Sequence, residues 1–181
     1  MLFISTYTKM VSLRALKAGD AFETERKLQK RYDDEEKLGT QQRIIEWLNT
    51  VLAGEVHPCP ALDWQSIQNH IRDGVILCKL MNKLLIADGQ PKIKYRARVN
   101  SGFVALSNFE NFLEGCKRYG IRQMSLFEPS DVYEGRKGPL LSVVFCLNQL
   151  GKLANEKGFQ PRYYIPEPRK ADWAIDDGAD D

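Results

Sequence analysis

The sequence DGVILCKLMNKLLI, residues 73–86, predicts a helix with apolar side chains on nearly all of its sides. Its apolar residues include Val75, Ile76, Leu77, Cys78, Leu80, Met81, Leu84 and Leu85. They are too dense for the single buried stripe of an ordinary surface helix. The run is also well short of the roughly 18–20 residues that a membrane-spanning helix needs. The stretch therefore predicts the central helix of a packed bundle.

Helical patterns also precede this stretch. In Gln41–Leu52 the apolar residues recur at i, i+1, i+4, i+7 and i+8, which makes one broad buried face. A Pro-bounded loop follows, and Asp63 is a candidate N-cap for a short helix after it. The charged segment 21–35 has few apolar anchors and predicts a short leading helix on the domain surface.

Two more helices are predicted downstream. One has the apolar face Leu106, Phe109, Leu113 and Cys116 and ends at Gly120. The last long helix has the sequence LLSVVFCLNQLGKLA, residues 140–154, with Pro139 in its first turn. Between the central helix and this pair lies a structured loop without a strand partner. We therefore expect an all-α fold with four principal helices and two or three short ones.

These segments divide the chain into four parts. They are a flexible N-terminal extension over residues 1–20, a short leading helix over 21–36, the helical domain over 37–158, and a Pro-rich, then acidic tail over 159–181. The extension is basic, rich in hydroxyl groups and free of acids before Asp20, so a mitochondrial targeting sequence is the alternative interpretation of it.

The small net charge of +2 conceals an asymmetry along the chain. Residues 167–181 hold six acids and two bases, and removing these from the totals of 24 and 26 leaves +6 for residues 1–166. A basic body with an acidic tail suits a body that meets an acidic surface and a tail that weakens the meeting. The alternative is an ordinary solvated surface followed by a disordered end.

Few residues suit catalysis or metal binding. The four cysteines form no CxxC pair, and three lie in apolar helical patterns, which favours reduced thiols in a cytosolic protein. The motifs HExxH, GxSxG, GxGxxG and the Walker motif do not occur. His57 and Cys59 could be imagined as metal ligands, but no further ligands lie nearby in the sequence. We expect no enzyme, no metal and no cofactor.

Aromatic residues provide a test of the predicted helical faces. Trp47, Trp64, Phe103 and Phe109 all fall on apolar faces, so we expect all four in the core.

The most distinctive charged feature lies in the loop after the central helix. In KIKYRARV, residues 92–99, the cations Lys92, Lys94, Arg96 and Arg98 alternate with Ile93, Tyr95, Ala97 and Val99. The apolar residues could anchor the loop while the cations face outward. These cations are candidates for docking to an acidic surface such as an actin filament, the alternative being ordinary solubility charge. Nucleic acid is a poorer fit, because its binding domains are more strongly basic.

In their order and spacing, these motifs resemble those of calponin-homology domains. The matching segments are DGVILCKLMNKL (Asp73–Leu84), QPKI (Gln90–Ile93), SNFENFLEGCKRYGI (Ser107–Ile121) and LFEPSDVYEGRKGPLLSVVFCLNQLG (Leu126–Gly151). The resemblance covers residues 40–156. The leading segment KLQKRYD (Lys27–Asp33) is similar to the short helix that precedes the domain in the calponin, transgelin and muscle protein 20 branch. We expect the calponin-homology fold.

The resemblance implies a cytoplasmic, cytoskeleton-associated protein that binds or bundles actin filaments without a cofactor. In actin-binding members the segment leading into the last long helix contributes to the filament interface. The side chains expected to reach outward from that segment here are Arg136, Lys137, Gln149 and Lys152. The leading-helix cluster Arg26, Lys27, Lys30 and Arg31 is a further candidate, although acids follow it directly.

Other functions of the same fold stay open at this point. One is a signalling scaffold that binds a kinase or exchange factor and contacts actin only indirectly. Calponins and transgelins usually continue into a short repeat with a GLQMG-like motif, and the sequence PRKADWAIDDGADD, residues 168–181, has none, which favours the scaffold. Microtubule binding is a third interpretation.

Overall fold

The structure, a computed structural model, describes residues 19–167. This part of the chain contains seven α-helices and one 3-10 turn. The helices are α1 (Asp20–Lys37), α2 (Thr40–Val51), α3 (Trp64–Ile71), α4 (Val75–Ala87), α5 (Gly102–Tyr119), α6 (Pro129–Tyr133) and α7 (Leu140–Glu156), and the 3-10 turn is Gln123–Ser125. Between residues 19 and 167 there is no strand, so the predicted all-α class is confirmed. Most of the predicted extension and the acidic segment from residue 168 onward lie outside the described residues.

Helix α4 is the central element, as its apolar pattern predicts. Its buried side chains are Leu77, Cys78, Leu80, Met81, Leu84 and Leu85. Gly74, just before α4, approaches Asn108 and Phe109 of α5. Further along both helices, Met81 of α4 approaches Cys116 of α5. Since the contacts advance toward the C-terminal end of both helices together, α4 and α5 run in the same direction.

The leading helix is longer and better anchored than predicted. Helix α1 has 18 residues, as many as α5, and begins one residue before the predicted segment. Its Tyr32 is fully buried in the core. Gln41 of α2 donates a hydrogen bond from Nε2 to the Tyr32 carbonyl oxygen (3.2 Å). Burial raises the pKa of the Tyr32 hydroxyl well above its usual range. Helix α1 is therefore an integral part of the domain.

The packed region also extends beyond the predicted boundary at residue 158. Tyr163 is only 2% exposed, its hydroxyl donates to Asn148 Oδ1 (2.8 Å), and its backbone exchanges two hydrogen bonds with the Asn155 side chain. A Cβ at residue 151 would overlap the Tyr163 ring, so only glycine fits at that position of α7. The first part of the Pro-rich segment thus belongs to the domain.

Three of the four predicted core aromatics lie against or in the core. Trp47 and Phe109 are buried and Trp64 is half-buried, but Phe103 is 81% exposed, so its prediction is wrong. The buried face of α5 runs through Ala105, Asn108, Phe109, Phe112 and Cys116. It is rotated from the predicted face because a polar residue, Asn108, points inward.

Three of the cysteines lie in the core. Cys78, Cys116 and Cys146 are buried and free, and burial raises the pKa of the Cys78 thiol to about 12. These side chains fill space in the core, as small hydrophobic groups do. In residues 19–167, none of the helices combines the length and the apolar character needed to cross a bilayer.

Candidate interaction surface

Two asparagines hold the loop of residues 92–99, which we call the basic loop, against helices α4 and α5. Asn82 of α4 accepts a hydrogen bond from the Ile93 N–H (2.8 Å) and donates one to the Ile93 carbonyl (3.2 Å). Asn108 of α5 does the same for Arg96, with distances of 2.9 and 3.0 Å. Each amide therefore replaces the strand partner that the loop lacks. The loop runs back along α4 and α5, from the end of α4 to the start of α5.

The Asn108 side chain also binds the turn before α4. Its Nδ2 also donates to the Asp73 carbonyl oxygen (3.0 Å), just before α4, and the residue is 1% exposed. One buried amide thus joins α5, the loop and the turn before α4. A buried amide is tolerated because its donors and acceptor are satisfied.

The four loop cations point into solvent, as the alternation predicts. Ile93 is buried and both Tyr95 and Val99 pack against the core, whereas Ala97 is exposed. The exposed cations are Lys92, Lys94, Arg96 and Arg98. None of them forms an ion pair with another residue of the described range 19–167. The loop therefore presents charge that the domain itself leaves uncompensated.

Helix α4 adds two lysines that the sequence analysis missed. Lys79 donates to the Glu55 carbonyl oxygen (3.0 Å), and Lys83 forms an ion pair with the Glu55 carboxylate. With Lys92 and Tyr95 they line a hollow of about 240 Å³. The signal was present in the sequence, since two lysines four residues apart in a mostly apolar helix mark its exposed stripe. We call Lys79, Lys83, Lys92, Lys94, Arg96 and Arg98 the basic face.

Glu55 is the one acid bound within the basic face among the described ion pairs. The hydrogen bond from Lys83 holds the pKa of the Glu55 carboxyl below its usual range, and the charges of Lys79 and Lys92 act in the same direction. Glu55 is therefore ionised at neutral pH and offsets part of the positive charge of the face.

Arg136 and Lys137 do not reach outward as expected. Arg136 forms ion pairs with Glu25 of α1 (3.5 Å) and with Glu134, and Lys137 pairs with Asp33 of α1. Lys137 also lies over the Tyr32 ring, 5.4 Å from its centroid. These cations attach α1 to the segment before α7, because the leading helix covers that segment.

Gln149 and Lys152 lie elsewhere on α7. At 1.5 Å per residue, Lys152 is about 18 Å along the helix axis from Leu140. Both residues line a second hollow of about 240 Å³, together with Arg122. The four side chains predicted around α7 therefore belong to two separate places rather than to one surface.

The leading-helix cluster is partly engaged. Arg31 lies over the Phe145 ring of α7, 5.9 Å from its centroid, which fixes it to the domain. Arg26, Lys27 and Lys30 are exposed, but they share α1 with an acidic final stretch, residues 33–36. This cluster carries less uncompensated charge than the basic face.

Comparison with known proteins places this architecture in a family. A family model described as the calponin homology (CH) domain matches residues 38–156. The chain belongs to the calponin-homology family. It is 31% identical to calponin-2 of Bos taurus over 142 residues, which make up 78% of this chain and 40% of calponin-2. This calponin-homology chain thus spans about two fifths of the length of that relative.

A solved structure supports the same fold. The calponin-homology domain of an IQGAP protein from Schizosaccharomyces pombe superposes with a TM-score of 0.55, covering 81% of this chain and 82% of that one, at 20% identity. At this identity the likeness concerns the fold alone. The calponin-homology fold and family predicted from the sequence are confirmed.

The two residues considered as metal ligands, His57 and Cys59, lie in the loop between α2 and α3. His57 is exposed, and the Cys59 thiol donates to the Ala61 carbonyl oxygen (3.2 Å). In the described part of the chain, no three His, Cys, Asp or Glu side chains are grouped so that they could hold a metal ion.

Proposed function

We propose that this chain is a non-catalytic, cytoplasmic binding module that attaches directly to actin filaments through the basic face. The observation that carries the proposal is the set of four loop cations, exposed and without an ion-pair partner in residues 19–167, on a backbone held by Asn82 and Asn108. Membership in the calponin-homology family and the similarity to calponin-2 support the choice of partner.

A fixed loop makes these cations more effective than the same charges on a mobile segment. Binding then orders only the side chains, so less conformational entropy is lost on association. Uncompensated positive charge also steers a protein toward an acidic surface and speeds the encounter. The cations of α1 and of the segment before α7 are weaker candidates, because several of them already have acidic or aromatic partners within the domain.

Co-sedimentation with filamentous actin over a series of salt concentrations tests the proposal. We expect saturable pelleting at low salt that weakens as ionic strength rises, because the Debye length falls to about 10 Å at 0.1 M. If the chain stays in the supernatant even at low salt, direct actin binding is refuted. The signalling scaffold would then become the better interpretation.

Charge reversal locates the interface. We expect the fourfold variant Lys92→Glu, Lys94→Glu, Arg96→Glu and Arg98→Glu to lower the apparent affinity by about ten-fold or more, because attraction becomes repulsion. The matched variant reverses the same number of charges on α1, at Arg26, Lys27, Lys30 and Arg31. A larger loss in the α1 variant than in the loop variant would move the interface to the leading helix.

Neutralising Glu55 should have the opposite effect. Glu55→Gln removes the negative charge that pairs with Lys83, so we expect binding to tighten by about two- to five-fold at low salt. The advantage should disappear at high salt. Glu110→Gln is the control, since Glu110 is an exposed acid on α5 outside the basic face. Equal effects of the two variants would show that only net charge matters.

Bundling would require a second contact with another filament. The hollow lined by Gln149 and Lys152, with Arg122 beside them, is the candidate for it. Low-speed sedimentation, which collects bundles but not single filaments, tests this step with Lys152→Glu, which we expect to reduce bundling while leaving high-speed pelleting unchanged.

A further inference from the structure

Phe103 is a large apolar side chain in solvent. It lies in the first turn of α5 and is 81% exposed. Ala105, two positions further on, belongs to the buried face, and two positions correspond to about 200° around a helix, so Phe103 lies on roughly the opposite side. No packing within the described residues accounts for an aromatic side chain there.

A second aromatic residue lies against Gly102, the residue just before Phe103. Tyr133, the last residue of α6, crosses so close to Gly102 that a Cβ there would overlap its ring. Tyr133 is itself partly exposed. Gly102 therefore allows one aromatic ring to lie against the start of α5, directly beside the residue that carries the other.

This end of α5 adjoins the basic face. Asn108, which binds the Arg96 backbone, lies five residues after Phe103, about 7.5 Å along the helix axis, but on the buried face of α5 and so away from the side of Phe103. Arg98 is three residues before the N-cap Ser101, so its Cα lies within roughly 11 Å of the helix start. Arg98, which has no ion-pair partner among the described residues, thus lies close along the chain to the end of α5 that carries the exposed aromatic side chain.

We propose that Phe103, with Tyr133 beside it, is the apolar anchor of the actin-facing surface and that Arg98 forms its charged rim. The proposal rests on the proposed function and names which residues carry its affinity. The partner is an acidic protein surface with an apolar hollow, because the rim is positive and the centre is aromatic. Energetically dominant sites in interfaces are enriched in aromatic residues and arginine.

The test is the actin co-sedimentation of Phe103→Ala across the salt series. We expect its apparent affinity to fall by about ten-fold, with the slope of log affinity against log salt unchanged, because an apolar contact is lost and no charge. The loop charge-reversal variant should instead flatten that slope. Met124→Ala is the matched control, because Met124 is 83% exposed in the 3-10 turn beyond the other end of α5.

The outcomes separate the two proposals. Loss of binding in Phe103→Ala, with the melting temperature unchanged and Met124→Ala at wild-type affinity, supports the anchor. Wild-type affinity in Phe103→Ala, together with loss in the loop variant, overturns the anchor and leaves actin binding by the basic face intact. An equal loss in Met124→Ala also overturns it, and absence of binding by the wild type refutes both proposals.

Discussion

Replacing Tyr163 with alanine is expected to lower the free energy of unfolding by about 3–5 kcal/mol, the usual range for a large aromatic residue removed from a core. Tyr163 lies beyond the last helix, yet it is as buried as the core residues of α7. Its ring packs edge-on to Trp47 with centroids 5.6 Å apart, and its hydroxyl donates to Asn148. The substitution removes all of these contacts and leaves a cavity over Gly151.

The neighbouring residue offers a matched control. Tyr164 is 67% exposed, so Tyr164→Ala should change the free energy of unfolding by less than about 0.5 kcal/mol. Urea denaturation followed by tryptophan fluorescence measures both variants, and Trp47 is a direct reporter of the contact. A loss of under 1 kcal/mol in Tyr163→Ala would mean that the segment after α7 adds little to the domain.

Asn108→Ala is expected to be the most disruptive polar substitution. It removes three hydrogen bonds of one buried amide, to the N–H and carbonyl of Arg96 and to the carbonyl of Asp73. Buried polar groups that lose their partner cost about 1–3 kcal/mol each, and partial entry of water offsets some of this. We expect a loss of about 3–4 kcal/mol in the free energy of unfolding.

Asn111 on the same helix is the control for this prediction. Its side chain forms no hydrogen bond with the described residues and is only half-buried, so Asn111→Ala should stay within about 0.5 kcal/mol of the wild type. Hydrogen exchange adds a local measurement, because the Arg96 amide should lose its protection in Asn108→Ala. Unchanged protection there would contradict the assigned role of the side chain.

The sequence was sufficient for the features that depend on local pattern. The dense apolar run of α4 predicts a central buried helix, because no arrangement on a surface could hide so many of its sides. The alternation after Lys92 predicts cations outside and anchors inside, which the structure has for Ile93, Tyr95 and Val99. That these cations bind actin stays a prediction.

The features that the sequence did not predict depend on which segments meet in space. Arg136 and Lys137 look free in a loop, and only the placement of α1 brings Glu25 and Asp33 to them. Phe103 is exposed because the polar residue Asn108 belongs to the buried face of α5. A search for apolar residues at helical spacing cannot detect a buried asparagine.

The burial of Tyr163 was missed for a different reason. Its Pro-rich surroundings have the composition of a linker. The Tyr163 ring packs over Gly151, which has no side chain, and a glycine adds no apolar signal to the sequence pattern.

The manner in which the basic loop is held has a consequence for how such a surface can change. Asn82 and Asn108 form hydrogen bonds with main-chain N–H and carbonyl groups of the loop. Every residue type except proline, which lacks the N–H, offers both groups at those positions. The outward side chains take no part in these hydrogen bonds. A new set of side chains at 92, 94, 96 and 98 would therefore keep the loop shape, so the recognition chemistry of this surface can drift, or be redesigned, independently of the fold beneath it.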